Sequence, residues 1–108
     1  VVRPNYNNNE TITKCIAALT TYFNIKNWQI NQPIILPQLS VLLDKIEGVQ
    51  TVKNLKIDNL AGEALGYSEY AYDVVGATIN DVVYPSIDPM VFEVKYPDTD
   101  IKGRVVPL

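Results

Sequence analysis

Apolar residues recur at intervals of three and four between Glu10 and Phe23: Ile12, Cys15, Ile16, Leu19, Tyr22 and Phe23. That spacing places them on one face of a helix, with Thr13, Lys14, Thr20 and Thr21 on or near the other side. Asn7 stands three residues before Glu10, the spacing of a capping box with Asn in place of Ser or Thr. The Asn-rich stretch 5–9 reads as the loop leading in. A second set, Leu39, Leu42, Leu43 and Ile46, follows i, i+3, i+4, i+7. Pro37 suits the first turn of that helix, where a missing N–H costs nothing. Gly48 stands where a left-handed cap belongs. The pattern predicts a helix over 37–47. In the connector 24–32, Trp28 and Ile30 are expected to fill the gap between the helices.

Beyond Gly48 the period changes. Val49, Leu55 and Ile57 share one face by alternation, and Val52 falls on the other, so 49–57 reads as a strand with a bulge near Thr51 or with both faces partly covered. Val1-Val2 reads as the end of another strand. The stretch 58–73 is irregular, interrupted by Gly62 and Gly66. After Gly76 the chain is expected to be extended. Val82-Val83-Tyr84 stops at Pro85, residues 90–96 alternate most cleanly, 98–103 turn the chain, and 104–106 form a last short strand. Pro85, Pro89 and Pro97 suit edge strands or turns. The expected core holds Ile12, Ile16, Leu19, Phe23, Leu39, Leu42, Leu43, Ile46, Leu55, Ile57, Phe92 and Val94. The predicted class is α+β: two helices packed on one face of a small mixed β-sheet, with an extended Pro- and Tyr-rich C-terminal third.

Composition narrows the function. The 108 residues are 47% hydrophobic and 19% charged, the balance of one folded domain. The formal charge is −3, and the nine Lys and Arg residues are scattered. Nucleic-acid affinity rests on clustered cations, so that partner is not expected. Apolar runs such as Ile34-Ile35-Leu36 are far short of the ~20 residues of a membrane helix. The lone Cys15 excludes an internal disulfide and sits among apolar residues at helical spacing, as a small buried hydrophobe would. The chain opens on Val-Val without Met, which reads as an excerpt from a longer protein or a mature chain after cleavage.

Candidate chemistry is thin. Histidine is absent, so no Ser-His-Asp or Cys-His set exists within the chain, and a zinc site lacks ligands. The five glycines are isolated, which excludes a phosphate-cradling loop. Asp98 and Asp100 have a spacing compatible with a hard cation, but after Pro97 they read as turn residues bonding to nearby backbone. Glu63 with Glu69 or Asp73 has no pattern that would oppose them as a glycosidase pair. No catalytic, metal or cofactor residue is assigned.

The seven tyrosines are the remaining signal. Tyrosine covers much area at low entropy cost and keeps a polar tip, which suits a sheet core, a protein interface or sugar binding. Tyr67, Tyr70, Tyr72, Tyr84 and Tyr96, with Arg104, are the candidate interface residues. Extended segments between prolines add a second route, strand addition to a neighbour's sheet.

Two stretches resemble a known family. Residues 34–52 carry Ile46-Glu-Gly-Val-Gln-Thr-Val52 after a helix, similar to the helix, I-x-G-V-x-x-V and strand passage of baseplate J-like proteins of contractile tails. The helix ending in Tyr22-Phe23 and the connector Gln29–Ile34 fit the same pattern. Residues 82–97, continuing through Asp100-Ile-Lys-Gly-Arg to Val106, resemble the C-terminal end of the baseplate wedge proteins of T-even-type myoviruses. The likeness covers about Glu10 to Val106. It implies a building block without catalytic residues, the C-terminal portion of a longer protein. Such a block joins copies of itself and other wedge or tail proteins in the ring around the tail hub. It implies a virion location, with neither nucleic acid nor membrane as partner. The rival readings are a carbohydrate- or protein-binding adhesin module using exposed tyrosines, and a carboxylate-based, metal-dependent enzyme.

Overall fold

The computed structural model describes residues 1–59, 72–86 and 92–107. The first helix, α1, spans Asn8–Tyr22. The Asn7 carboxamide accepts the Glu10 N–H at 3.0 Å, satisfying one of the donors that a helix start leaves free. Four threonines sit in α1 despite their branched side chains. Each hydroxyl donates to the carbonyl four residues back: Thr11 to Asn7, Thr13 to Asn9, Thr20 to Ile16 and Thr21 to Ala17, at 2.8–3.1 Å. Thr11 is thereby buried at no polar cost.

A single 3₁₀ turn, Ile25–Asn27, follows and delivers Trp28 to the interior. Its indole N–H donates to the Tyr22 carbonyl at 2.9 Å. Its ring stacks on Phe23 at 5.4 Å, with Tyr22 edge-on at 5.9 Å. Trp28 therefore fills the gap expected of it. Ile30 does not: it is 64% exposed, because the Gln29–Gln32 turn carries it outward.

Strand β1 (Ile34–Ile35) leads directly into the second helix, α2 (Leu36–Asp44). No side chain caps α2. Instead the Leu36 N–H donates to the Asp81 carbonyl at 2.9 Å, so the neighbouring hairpin takes a group the helix start leaves free. Helix α2 ends three residues before the expected boundary. A turn over 45–48 then reaches Gly48, which adopts φ +97°, the left-handed conformation read from the sequence.

Strands β2 (Thr78–Ile79) and β3 (Val82–Val83) form a hairpin. Its central residues, Asn80 and Asp81, have φ of 51° and 63°, the signature of a type I′ turn. The sheet order is β1-β3-β2, and every pairing is antiparallel. The fold is α+β, as the pattern predicts. The mixed sheet is replaced by a small antiparallel one, and its strands are not the expected ones. Of 49–57 only the start is paired, in an isolated antiparallel bridge between Val49 and Val2 flanked by bonds of Gln50 and Thr51 to Val1. The described part of 90–96 and the segment 104–106 hold no strand. Alternation there marks which side chains face the body and does not require a strand partner. Residues 97–100 form a short helix, α3, within the expected turn. Gly62, Glu63, Gly66, Glu69, Pro89 and Met90 lie outside the described residues.

The core is where the two helices, the connector and the sheet meet. Trp28, Ile34, Leu39, Val74 and Val83 are buried together. Leu19, Tyr22, Phe23, Leu36, Leu55, Ile57, Tyr72 and Phe92 pack against them. Leu43 and Val49 are also buried. Ile12, Ile16, Leu42, Ile46 and Val94 are only half-buried, because the expected face of each element is wider than the surface that covers it.

Candidate interaction surface and helix groove

The hairpin and the turn before it carry two strongly exposed apolar side chains. Val75, in the turn before β2, is 75% exposed, and Ile79 on β2 is 60% exposed. Both arise from local geometry. The Asp73 carboxylate accepts the Gly76 N–H at 2.9 Å, and the Ala77 N–H donates to the Asp73 carbonyl at 3.0 Å. That tight turn buries Val74 and turns Val75 out. In β2, alternation then directs Ile79 outward. Among the described residues β2 pairs only with β3, and its outward Thr78 N–H donates to the Val75 carbonyl at 3.2 Å. Beneath it runs an apolar groove of about 320 Å³, lined by Leu36, Leu55, Ile57, Val74, Val75 and Val83 among others.

The candidate interface residues that the structure describes differ in exposure. Tyr67 and Tyr70 lie outside the described residues. Tyr72 is half-buried against the core; its ring sits 6.1 Å from Phe92, and its hydroxyl donates to the Tyr84 carbonyl at 2.6 Å. Tyr72 thus ties the hairpin to the body. Tyr84 and Tyr96 are 47% and 40% exposed, and Arg104 is exposed. Tyr84 directly follows β3, which puts it on the same hairpin as Ile79. Val75 and Ile79 were missing from the sequence reading. The signal for them was the Ile-Asn-Asp-Val run, a turn dipeptide between apolar pairs.

A second concavity, of about 440 Å³, lies between α1 and α2. Tyr22, Asn27, Trp28, Gln32, Gln38 and Leu42 line it with Ala18 and Thr21. Among the described residues that line it, only the tyrosine hydroxyl ionises. Each carboxamide is held at one end. Asn27 Nδ2 donates to the Thr21 carbonyl at 3.2 Å, Gln32 Oε1 accepts the Gln29 N–H at 2.9 Å, and Gln38 Oε1 accepts the Tyr22 hydroxyl at 3.1 Å.

Elsewhere the chemistry is sparse. Cys15 is half-buried, and loss of solvent raises its thiol pKa above the ordinary 9.0, away from reactivity. Lys56 and Asp58 form an ion pair at 3.7 Å that is open to solvent and worth little. Asp100 accepts the Tyr96 N–H through Oδ2 at 3.2 Å, closing the α3 turn. Among the described residues no three Cys, Asp or Glu side chains gather where they could share an ion. None of the described helices is long and apolar enough to cross a membrane. Compared with models of known protein families, with characterised proteins and with solved structures, the chain matches none.

Proposed function

We propose that this chain is a subunit-contact module of a contractile-tail baseplate wedge. Its work is adhesion between copies of itself and other wedge or tail proteins in the virion. It makes and breaks no covalent bond and uses no cofactor. The observation that carries this reading is the hairpin, where Val75 and Ile79 stand in solvent. Covering those two side chains gives about 2–4 kcal/mol, scaled from the burial of whole aliphatic side chains by their present exposure. The contact rests on these side chains, since the outward Thr78 N–H is already taken by the Val75 carbonyl at 3.2 Å. The motif at 46–52 and the segment 82–106, which resemble the baseplate families, supply the biological setting.

The test joins sedimentation velocity with affinity capture from phage lysates and mass-spectrometric identification. Self-association, or recovery of tail proteins, is expected with the native chain. Ile79→Asp should abolish it while leaving the melting temperature nearly unchanged, because Ile79 is already exposed. A strict monomer that recovers no tail protein refutes the reading.

A further inference from the structure

The groove between α1 and α2 has features that subunit adhesion does not require. Its size falls within the range of small-molecule sites. Asn27, Gln32 and Gln38 are each fixed by one end of the carboxamide. The other ends have no partner among the described residues: an acceptor at Asn27 Oδ1 and donors at Gln32 Nε2 and Gln38 Nε2. Groups held in place before a ligand arrives lose little freedom when it binds.

The chemistry of these groups selects the ligand class. Among the described residues no cation or carboxylate lines the groove, so a charged ligand would meet no described counter-charge there. A hydroxyl both donates and accepts, so vicinal hydroxyls can answer amide donors and an amide acceptor together. The C–H face of a sugar ring can rest on Leu42 and on the small part of the buried Trp28 that lines the groove. An extended peptide is less well served, since peptide recognition uses a strand edge or a long apolar channel and this groove has neither. We infer that the α1–α2 groove is a recognition site for a neutral saccharide, a function separate from the adhesive hairpin.

Trp28 is the only tryptophan and lines the groove, so its emission reports occupancy. The purified chain is titrated with glucose, galactose, mannose and N-acetylglucosamine, and in parallel with the blocked neutral tripeptide N-acetyl-Ala-Gln-Ala-amide. At least one sugar should give a saturable change with a dissociation constant of about 1 mM. Gln38→Ala and Asn27→Ala, both at exposed positions, should each weaken it about fivefold while the far-ultraviolet spectrum stays native. Ile79→Asp should leave it unchanged, which separates this site from the adhesive one. Flat titrations with all four sugars overturn the inference. So does a sugar response that both amide variants leave intact, or saturation by the tripeptide alone.

Discussion

Gly48→Ala is expected to lower the folding free energy by about 1–3 kcal/mol, and the structure supplies each contribution. At φ +97° an L-residue is strained by about 1–2 kcal/mol. The new methyl would also lie 2.9 Å from Thr11 Oγ1 and 2.9 Å from Tyr6 Cδ1. The Tyr6 ring is 41% exposed and can swing aside, giving up only a solvent-facing bond to Glu47. Thr11 cannot. It is 3% exposed and its hydroxyl donates to the Asn7 carbonyl at 2.8 Å, so displacing it weakens a bond worth about 0.5–1.5 kcal/mol. Stiffening of the unfolded chain by alanine offsets about 0.4–1 kcal/mol of this. The assay is urea unfolding followed through Trp28 emission, with an unchanged slope expected and a fall in Tm of about 10 °C. Adding Tyr6→Ala should recover little, because Thr11 and the backbone carry most of the cost. A loss below about 0.5 kcal/mol, or full rescue by the second change, would refute the reasoning.

Leu39→Ala should cost about 2–5 kcal/mol, since Leu39 is 1% exposed among Trp28, Ile34 and Val83; the same denaturant assay checks it. Asp81→Gly should raise stability by up to about 1 kcal/mol, because glycine takes the positive φ of a type I′ turn freely; thermal unfolding reads the gain. Cys15 should react with a disulfide reagent more slowly than free cysteine at pH 8, as the raised thiol pKa keeps it protonated. The same shift adds stability below the unfolded thiol's pKa that is lost as pH rises through the higher folded value. The alkaline decline measured by urea unfolding should therefore be shallower in Cys15→Ala.

The helices were legible because periodicity and end signals agreed. Asn7, Pro37 and Gly48 each have a local physical role that needs no distant partner, and each plays it. The sheet was less legible. Residues 49–57 and 90–96 alternate convincingly, yet alternation reports which side chains face the body and says nothing about a neighbouring backbone. The actual strands are two residues long, too short to carry a period. Their register is set by the Asn80-Asp81 turn and by the Leu36-to-Asp81 bond, which joins residues 45 apart. Tyrosine type alone could not separate a core role from a surface one. Residue type gave Tyr72 and Tyr84 the same meaning, but packing against Phe92 draws one inward and leaves the other in water. The amides of the groove gave no sequence signal at all, since their meaning lies in which end of each group is already held.

The pairing of Val1–Arg3 with 48–51 has a mechanical corollary. The Val1 nitrogen donates to Thr51 O at 2.9 Å, Gln50 N–H to Val1 O at 2.8 Å, and Arg3 N–H to Gly48 O at 2.7 Å, around the Val2–Val49 bridge. Because the two stretches run in opposite directions, a pull that lifts Val1 away from Thr51 loads these bonds in succession and peels the seam open at low force. A pull along the seam loads them together and meets their combined resistance. The same few bonds are thus compliant to tension from one quarter and stiff to tension from another.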